Sequence, residues 1–112
     1  MCGVNGALVF ERSSFELSDA YIEKMRDTMI HRGPDGADLW VSSSKKVGFG
    51  HRRLSIIDLS ESANQPMLND DGSVVLTFNG EIYNHAEIKK EIQSVRQFKW
   101  RTAHSDTEVL LR

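Results

Sequence analysis

The sequence holds a single cysteine, Cys2, and only two prolines in 112 residues. One thiol cannot close an internal disulfide, which excludes a disulfide-stapled module and leaves a reducing cytoplasm as the default compartment. No apolar run approaches the length of a membrane span. Asn5, Glu11 and Arg12 interrupt the start, where a secretory leader would need a long apolar stretch. Neither sign of charge dominates: 14 Lys and Arg stand against 16 Asp and Glu, and they are scattered rather than striped. That balance argues against nucleic acid or an anionic membrane as the main partner. His31, His51, His85 and His104 lack the paired spacing of a zinc site, so no metal is expected. His31 and His51 read instead as structural hydrogen-bonders. "GFGHRR" has neither the spacing of a phosphate-binding loop nor a helix behind it.

What remains is ordinary globular composition, 39% apolar and 27% charged, enough for one domain at most. Residues 3–10 (GVNGALVF) read as a short apolar strand. A helix from Ser18 or Asp19 to about Ile30 puts Ile22, Met25 and Met29 on one face. "HRGPDG" stops it, with Gly33 able to turn left-handed and Pro34 barring continuation. Strands are predicted over 38–42 and 47–58, and another over 74–78, where Val74, Leu76 and Phe78 alternate with their neighbours and lead into Asn79-Gly80. Asn84 and Glu87 have the spacing of a capping box for a helix with Ile88, Ile92 and Val95 on its apolar face. "QFKWRT" reads as a strand. Ser105 and Glu108 repeat the capping spacing and open a last helix of barely two turns, too short to stand without packing partners. The sequence reads as the front part of a longer protein, with open sheet edges and poor solubility expected of this part alone.

Cys2 is the residue on which chemistry turns. Read blandly, it is a small apolar side chain beneath the first strand. If Met1 is removed, as a small second residue permits, Cys2 carries a free α-amine beside its thiol. In model peptides an α-amine titrates near about 8 and a thiol near about 8.5, so one residue can supply both nucleophile and base. An acyl-transfer site also needs donors for an oxyanion and groups that orient a substrate. Asn79 and Gly80 offer a side-chain amide and an unobstructed backbone N–H, though the pair alone reads as a strand-ending turn. Arg53 has a planar fork suited to a carboxylate, whereas Arg52 reads as a surface arginine. Asp106 lies in the first turn of the last helix, where it either complements the helix dipole or holds an ammonium group.

Six segments fit together: "MCG" at 1–3, "HRGPDG" at 31–36, "GHRRLSIIDLS" at 50–60, "QPM" at 65–67, "FNGEIYN" at 78–84 and "HSDTEVLL" at 104–111. In them the chain closely resembles the N-terminal glutaminase domain of glutamine-hydrolysing asparagine synthetases. These are class II glutamine amidotransferases of the N-terminal nucleophile hydrolase type. The resemblance implies an α+β fold, here part of a four-layer αββα sandwich, with residues 1–112 as the N-terminal part of that domain. It implies Cys2 as nucleophile, Asn79 and Gly80 as the oxyanion hole, and a glutamine pocket lined by Arg53, Leu54, Ser55, Ile56 and Ile57. In that pocket Arg53 holds the α-carboxylate, Glu81 shares the loop of Asn79 and Gly80, and Asp106 binds the α-amine. It further implies ATP and Mg²⁺ in a synthetase domain of the same protein, no cofactor in residues 1–112, and a homodimer as the assembly to look for. The other readings are a related amidotransferase with a different acceptor and a non-catalytic module. Two positions depart from the family pattern: Asn5, where an apolar residue is commoner, and Ala103, where glycine is frequent.

Overall fold

The computed structural model describes residues 1–55 and 61–112. Three antiparallel strands form the main sheet: β1 (Gly3–Leu8), β2 (Gly36–Val41) and β3 (Val47–Arg53). β3 lies in the centre, in the order β1-β3-β2. Its register pairs Gly3 with Arg52 on one side and Gly36 with Arg53 on the other. The ends of β1 and β3 therefore bring Cys2 beside Leu54. Trp40 and Phe49 stack across the β2–β3 pair with centroids 6.0 Å apart.

Helix α1 (Asp19–Asp27) covers this sheet. Ser18 caps it by accepting the Tyr21 N–H at 3.1 Å, and Asp19 sits in the first turn with Lys24 and Arg26 in the last, as the helix dipole favours. Its buried anchor is Ile22, 0% exposed, with Leu17 just ahead of the helix. The helix ends three residues short of Ile30, where the Thr28 hydroxyl donates to the Met25 carbonyl. Gly33 does not turn left-handed there. Its small size answers a different demand, because a Cβ would stand 2.4 Å from the Arg52 carbonyl carbon.

Arg52 corrects a second expectation. It is buried rather than a surface residue, and its Nε faces the Asp27 carboxylate at 3.6 Å. A central strand roofed by a helix leaves no solvent for it. Asp27 also accepts from Arg26 Nε at 2.8 Å, and these guanidinium groups hold its carboxyl below the usual range, the hydrogen bond from Arg26 foremost. The strand predicted over 47–58 is seen as far as Arg53; residues 56–60 lie outside the described part.

A second layer of short elements follows. A 3-10 turn (Glu61–Ala63) leads to a two-stranded antiparallel sheet of β4 (Met67–Leu68) and β5 (Val75–Leu76). Then come α2 (His85–Val95) and α3 (Asp106–Leu111), which pack on each other, and α3 also packs on β4. Asn84 stands at the N-cap of α2, but its side chain makes no cap bond; the His85 ring Nδ1 lies 3.0 Å from the Ile82 carbonyl instead. Residues 97–102 form no strand. Phe98 and Trp100 serve as ring faces for cations, Lys89 over Trp100 at 4.3 Å and Arg112 over Phe98 at 5.3 Å. Glu108 does not reach back to the Ser105 N–H as a capping box would. Its fully buried carboxylate accepts from the Arg101 and Thr102 N–H groups, the Thr102 hydroxyl and Arg112.

Candidate active site

A cavity of about 410 Å³ opens where the end of β1, the end of β3, the segment after β5 and the N-terminus of α3 meet. Its wall includes Cys2, Arg53, Leu54, Asn79, Gly80, Glu81 and Asp106. Seven residues spread over more than a hundred positions thus share one hollow. Ser55 does not line it; its N–H donates to the Asp35 carboxylate at 2.8 Å. Ile56 and Ile57 lie outside the described residues.

Cys2 is half-buried, and its sulfur is placed by the backbone of Leu54: the Leu54 N–H points at Sγ from 3.4 Å and the Leu54 carbonyl lies 3.8 Å away. The Cys2 carbonyl is held twice, by Arg32 Nε at 3.2 Å and Asn79 Nδ2 at 3.1 Å. One Asn79 N–H is therefore spent on positioning Cys2, and the amide keeps its other N–H for a ligand. Among the described residues the Gly80 N–H has no hydrogen-bond partner. A side chain on Gly80 would place Cβ 2.4 Å from the tip of the Phe78 ring, so glycine lets that ring lie close as well as leaving the N–H open.

Arg53 is half-buried, and its Nη1 donates to Asn64 Oδ1 at 3.0 Å. That bond orients the guanidinium of a residue that lines the cavity. Asp106 uses Oδ2 to accept the Ile82 N–H at 2.9 Å. A carboxylate has further lone pairs beyond this one, so it can also meet a cation in the cavity. The hollow therefore presents a thiol, neutral N–H donors, a guanidinium and a carboxylate within one space, which suits a zwitterionic amino acid bearing an acyl group.

His51 stands behind these groups, 1% exposed and part of the cavity wall. Burial holds its imidazole below the ordinary histidine range, the positive charge of Arg53 acts the same way, and a hydrogen bond with the Phe78 backbone works against both. Of the hydrogen-bonding role expected of it, only that Phe78 bond is seen, since its Nε2 is buried with no hydrogen-bond partner among the described residues. His31, by contrast, is exposed and makes no side-chain hydrogen bond among the described residues. Sequence reasoning missed Gln65, Thr107, Tyr83 and His104 as wall residues. "QPM" marked Gln65 as part of a motif, but nothing in its spacing tied it to the site.

Residues 1–112 match the family model of the glutamine amidotransferase domain. The chain belongs to that family. Among curated relatives, it is 41% identical over 112 residues to asparagine synthetase (glutamine-hydrolyzing) 2 of Bacillus subtilis, covering 99% of this chain and 14% of the relative. It is 40% identical over 110 residues to asparagine synthetase (glutamine-hydrolyzing) 2 of Oryza sativa, covering 98% of this chain and 17% of that protein. It is 36% identical over 119 residues to amidase chry2 of Gibberella zeae, covering 99% of this chain and 17% of that protein. The chain thus spans less than a quarter of the length of the curated relatives it matches.

Proposed function

We propose that this chain is the glutaminase part of an asparagine synthetase, releasing ammonia from glutamine for transfer to aspartate. The observation that carries the reading is the gathering of Cys2, Arg53, Asn79, Gly80 and Asp106 around one cavity, with similarity along nearly all of this chain to part of glutamine-hydrolysing enzymes beside it. After loss of Met1, the Cys2 thiol gives its proton to its own α-amine, and the sulfur attacks the side-chain amide carbon. Asn79 Nδ2 and the Gly80 N–H meet the oxygen as it gains charge. The ammonium returns a proton to the nitrogen as the C–N bond breaks and ammonia leaves. Water then adds to the thioester carbon, glutamate departs and the thiol is restored. Arg53 holds the α-carboxylate, Asp106 the α-amine, and Glu81 completes the loop.

In this reading residues 1–112 are the N-terminal part of a four-layer αββα domain in a cytoplasmic protein. A synthetase domain of the same protein binds ATP and Mg²⁺ to activate aspartate, and two such proteins pair. Among the described residues no group of three His, Cys, Asp or Glu side chains could hold a metal ion, and no helix is long and apolar enough to cross a membrane. A relative named an amidase supports a second reading, in which the same glutaminase chemistry feeds a different acceptor.

The test is intact mass combined with labelling by a glutamine-like electrophile on the full-length natural protein. The expected result is a chain lacking Met1, labelled at Cys2, with glutamine hydrolysis falling by at least about 10³-fold in Cys2→Ala, as for other lost nucleophiles. Retained Met1 in active protein, or hydrolysis that survives Cys2→Ala, overturns the reading. Supplying aspartate and ATP and looking for asparagine separates the two acceptors.

A further inference from the structure

Between Phe78 and Ile82 lie three residues that line the cavity: Asn79, Gly80 and Glu81. Both ends of this segment are tied to the N-terminus of α3 through backbone N–H groups. At the far end, Ile82 donates directly to Asp106 Oδ2 at 2.9 Å. At the near end, Phe78 donates to Gln65 Oε1 at 2.6 Å, and Gln65 Nε2 donates to Thr107 Oγ1 at 3.1 Å. The Thr107 hydroxyl in turn has a long contact of 3.5 Å to Asp106 Oδ1. The path closes on itself: Phe78, Gln65, Thr107, Asp106, Ile82.

Gln65 and Thr107 are 8% and 4% exposed. Buried amides and hydroxyls with both roles satisfied hold a single geometry, since any other orientation strands a donor or acceptor. The Phe78 N–H needs an oxygen acceptor, so the Gln65 amide has one orientation and its NH₂ group is directed at Thr107. A loop that must place N–H groups on an oxyanion to within a fraction of an ångström needs such a frame.

Building on the glutaminase reading above, we propose that Gln65 and Thr107 are positioning residues that fix the Asn79–Gly80 donors and couple them to Asp106. The residue gripping the substrate amine then shares a hydrogen-bonded ring with the loop that receives the oxyanion. Neither Gln65 nor Thr107 touches the reacting atoms.

The test uses the full-length natural protein and two reactions at Cys2. Glutamine hydrolysis develops an oxyanion; alkylation by iodoacetamide, a direct displacement at carbon, does not. In Gln65→Met, which keeps the volume and loses both bonds, kcat for glutamine is expected to fall by roughly 10–100-fold, with KM and the alkylation rate within about threefold of the parent, the range for losing support of an oxyanion donor. Thr107→Val is expected to match that loss in kcat and Thr107→Ser to restore it. The double variant is expected to be no worse than the poorer single, because both lie on one path. An unchanged kcat in Gln65→Met, alkylation falling in step with kcat, or full additivity in the double variant each overturns the proposal. If Gln65→Met fails to fold, the Val and Ser variants of Thr107 decide alone. Failure of the glutaminase reading has its own signature, hydrolysis persisting in Cys2→Ala.

Discussion

Asn5 carries a side-chain amide whose nitrogen and oxygen are both buried with no hydrogen-bond partner among the described residues. It sits on β1 opposite Gly50, close beneath α1, where a Gly50 Cβ would lie 3.1 Å from Arg26 Cβ. An unpaired buried amide costs about 1–3 kcal/mol. Asn5→Leu, which keeps the branched four-heavy-atom outline and removes the polar atoms, is therefore expected to raise stability by about 1 kcal/mol, read as a higher urea midpoint at unchanged slope. The departure from the family pattern at this position is thus a packing matter, and glutamine hydrolysis should not change. At this scale the sequence was most informative about Cys2, Arg53 and Asp106, because a lone terminal thiol and charges beside apolar runs stand out. It was silent about Gln65. A glutamine in a polar loop has no periodicity, and its role exists only once Phe78 and Thr107 come within reach.

Helix α3 shows what a short element needs. Its six residues are tied down by Glu108, whose carboxylate takes four donors from Arg101, Thr102 and Arg112. Burial alone would raise this carboxyl; the hydrogen bonds from the Arg101 N–H, Thr102 and Arg112 outweigh it and hold it low. Glu108→Ala leaves those donors buried or unpaired, and a loss of about 3 kcal/mol is expected, the size of a broken buried network. Because α3 carries Asp106 and Thr107, the KM for glutamine should rise in the same variant. The sequence pattern located α3 and its Ser105 cap, which accepts the Glu108 N–H at 3.4 Å. It misread the spacing of Glu108 as a local box, since the carboxylate's true partners lie upstream of the helix, at Arg101 and Thr102, and at its C-terminal end, at Arg112. "QFKWRT" was misread for a related reason. Alternation reports two faces, and here the aromatic face meets Lys89 and Arg112 rather than a sheet.

For the molecule as a whole, acid is expected to act in two stages. His51 is held below the ordinary histidine value by burial, so the folded state binds its proton less readily than the unfolded chain does. Its contribution is intact above about pH 6.5 and declines as pH falls below that, until the folded group itself titrates. Glu108, Asp27, Asp70 and Asp71 are all lowered as well. Their contribution is intact above the ordinary carboxylate range and is lost as pH falls through their folded values. Thermal midpoints measured against pH should therefore show an early decline that His51→Asn removes and a later one that Glu108→Gln reduces. The order of β1, α1, β2 and β3 was legible from periodicity and turn residues. The convergence of chain position 2 with positions 79 and 106 was not, because local pattern contains no information about which distant segments meet.

The grip on the Cys2 carbonyl by Arg32 and Asn79 leaves Met1 projecting outward, 77% exposed at the rim of the cavity. An aminopeptidase can reach that residue without loosening anything behind it. The same arrangement means that an affinity handle fused ahead of Met1 would block both trimming and entry.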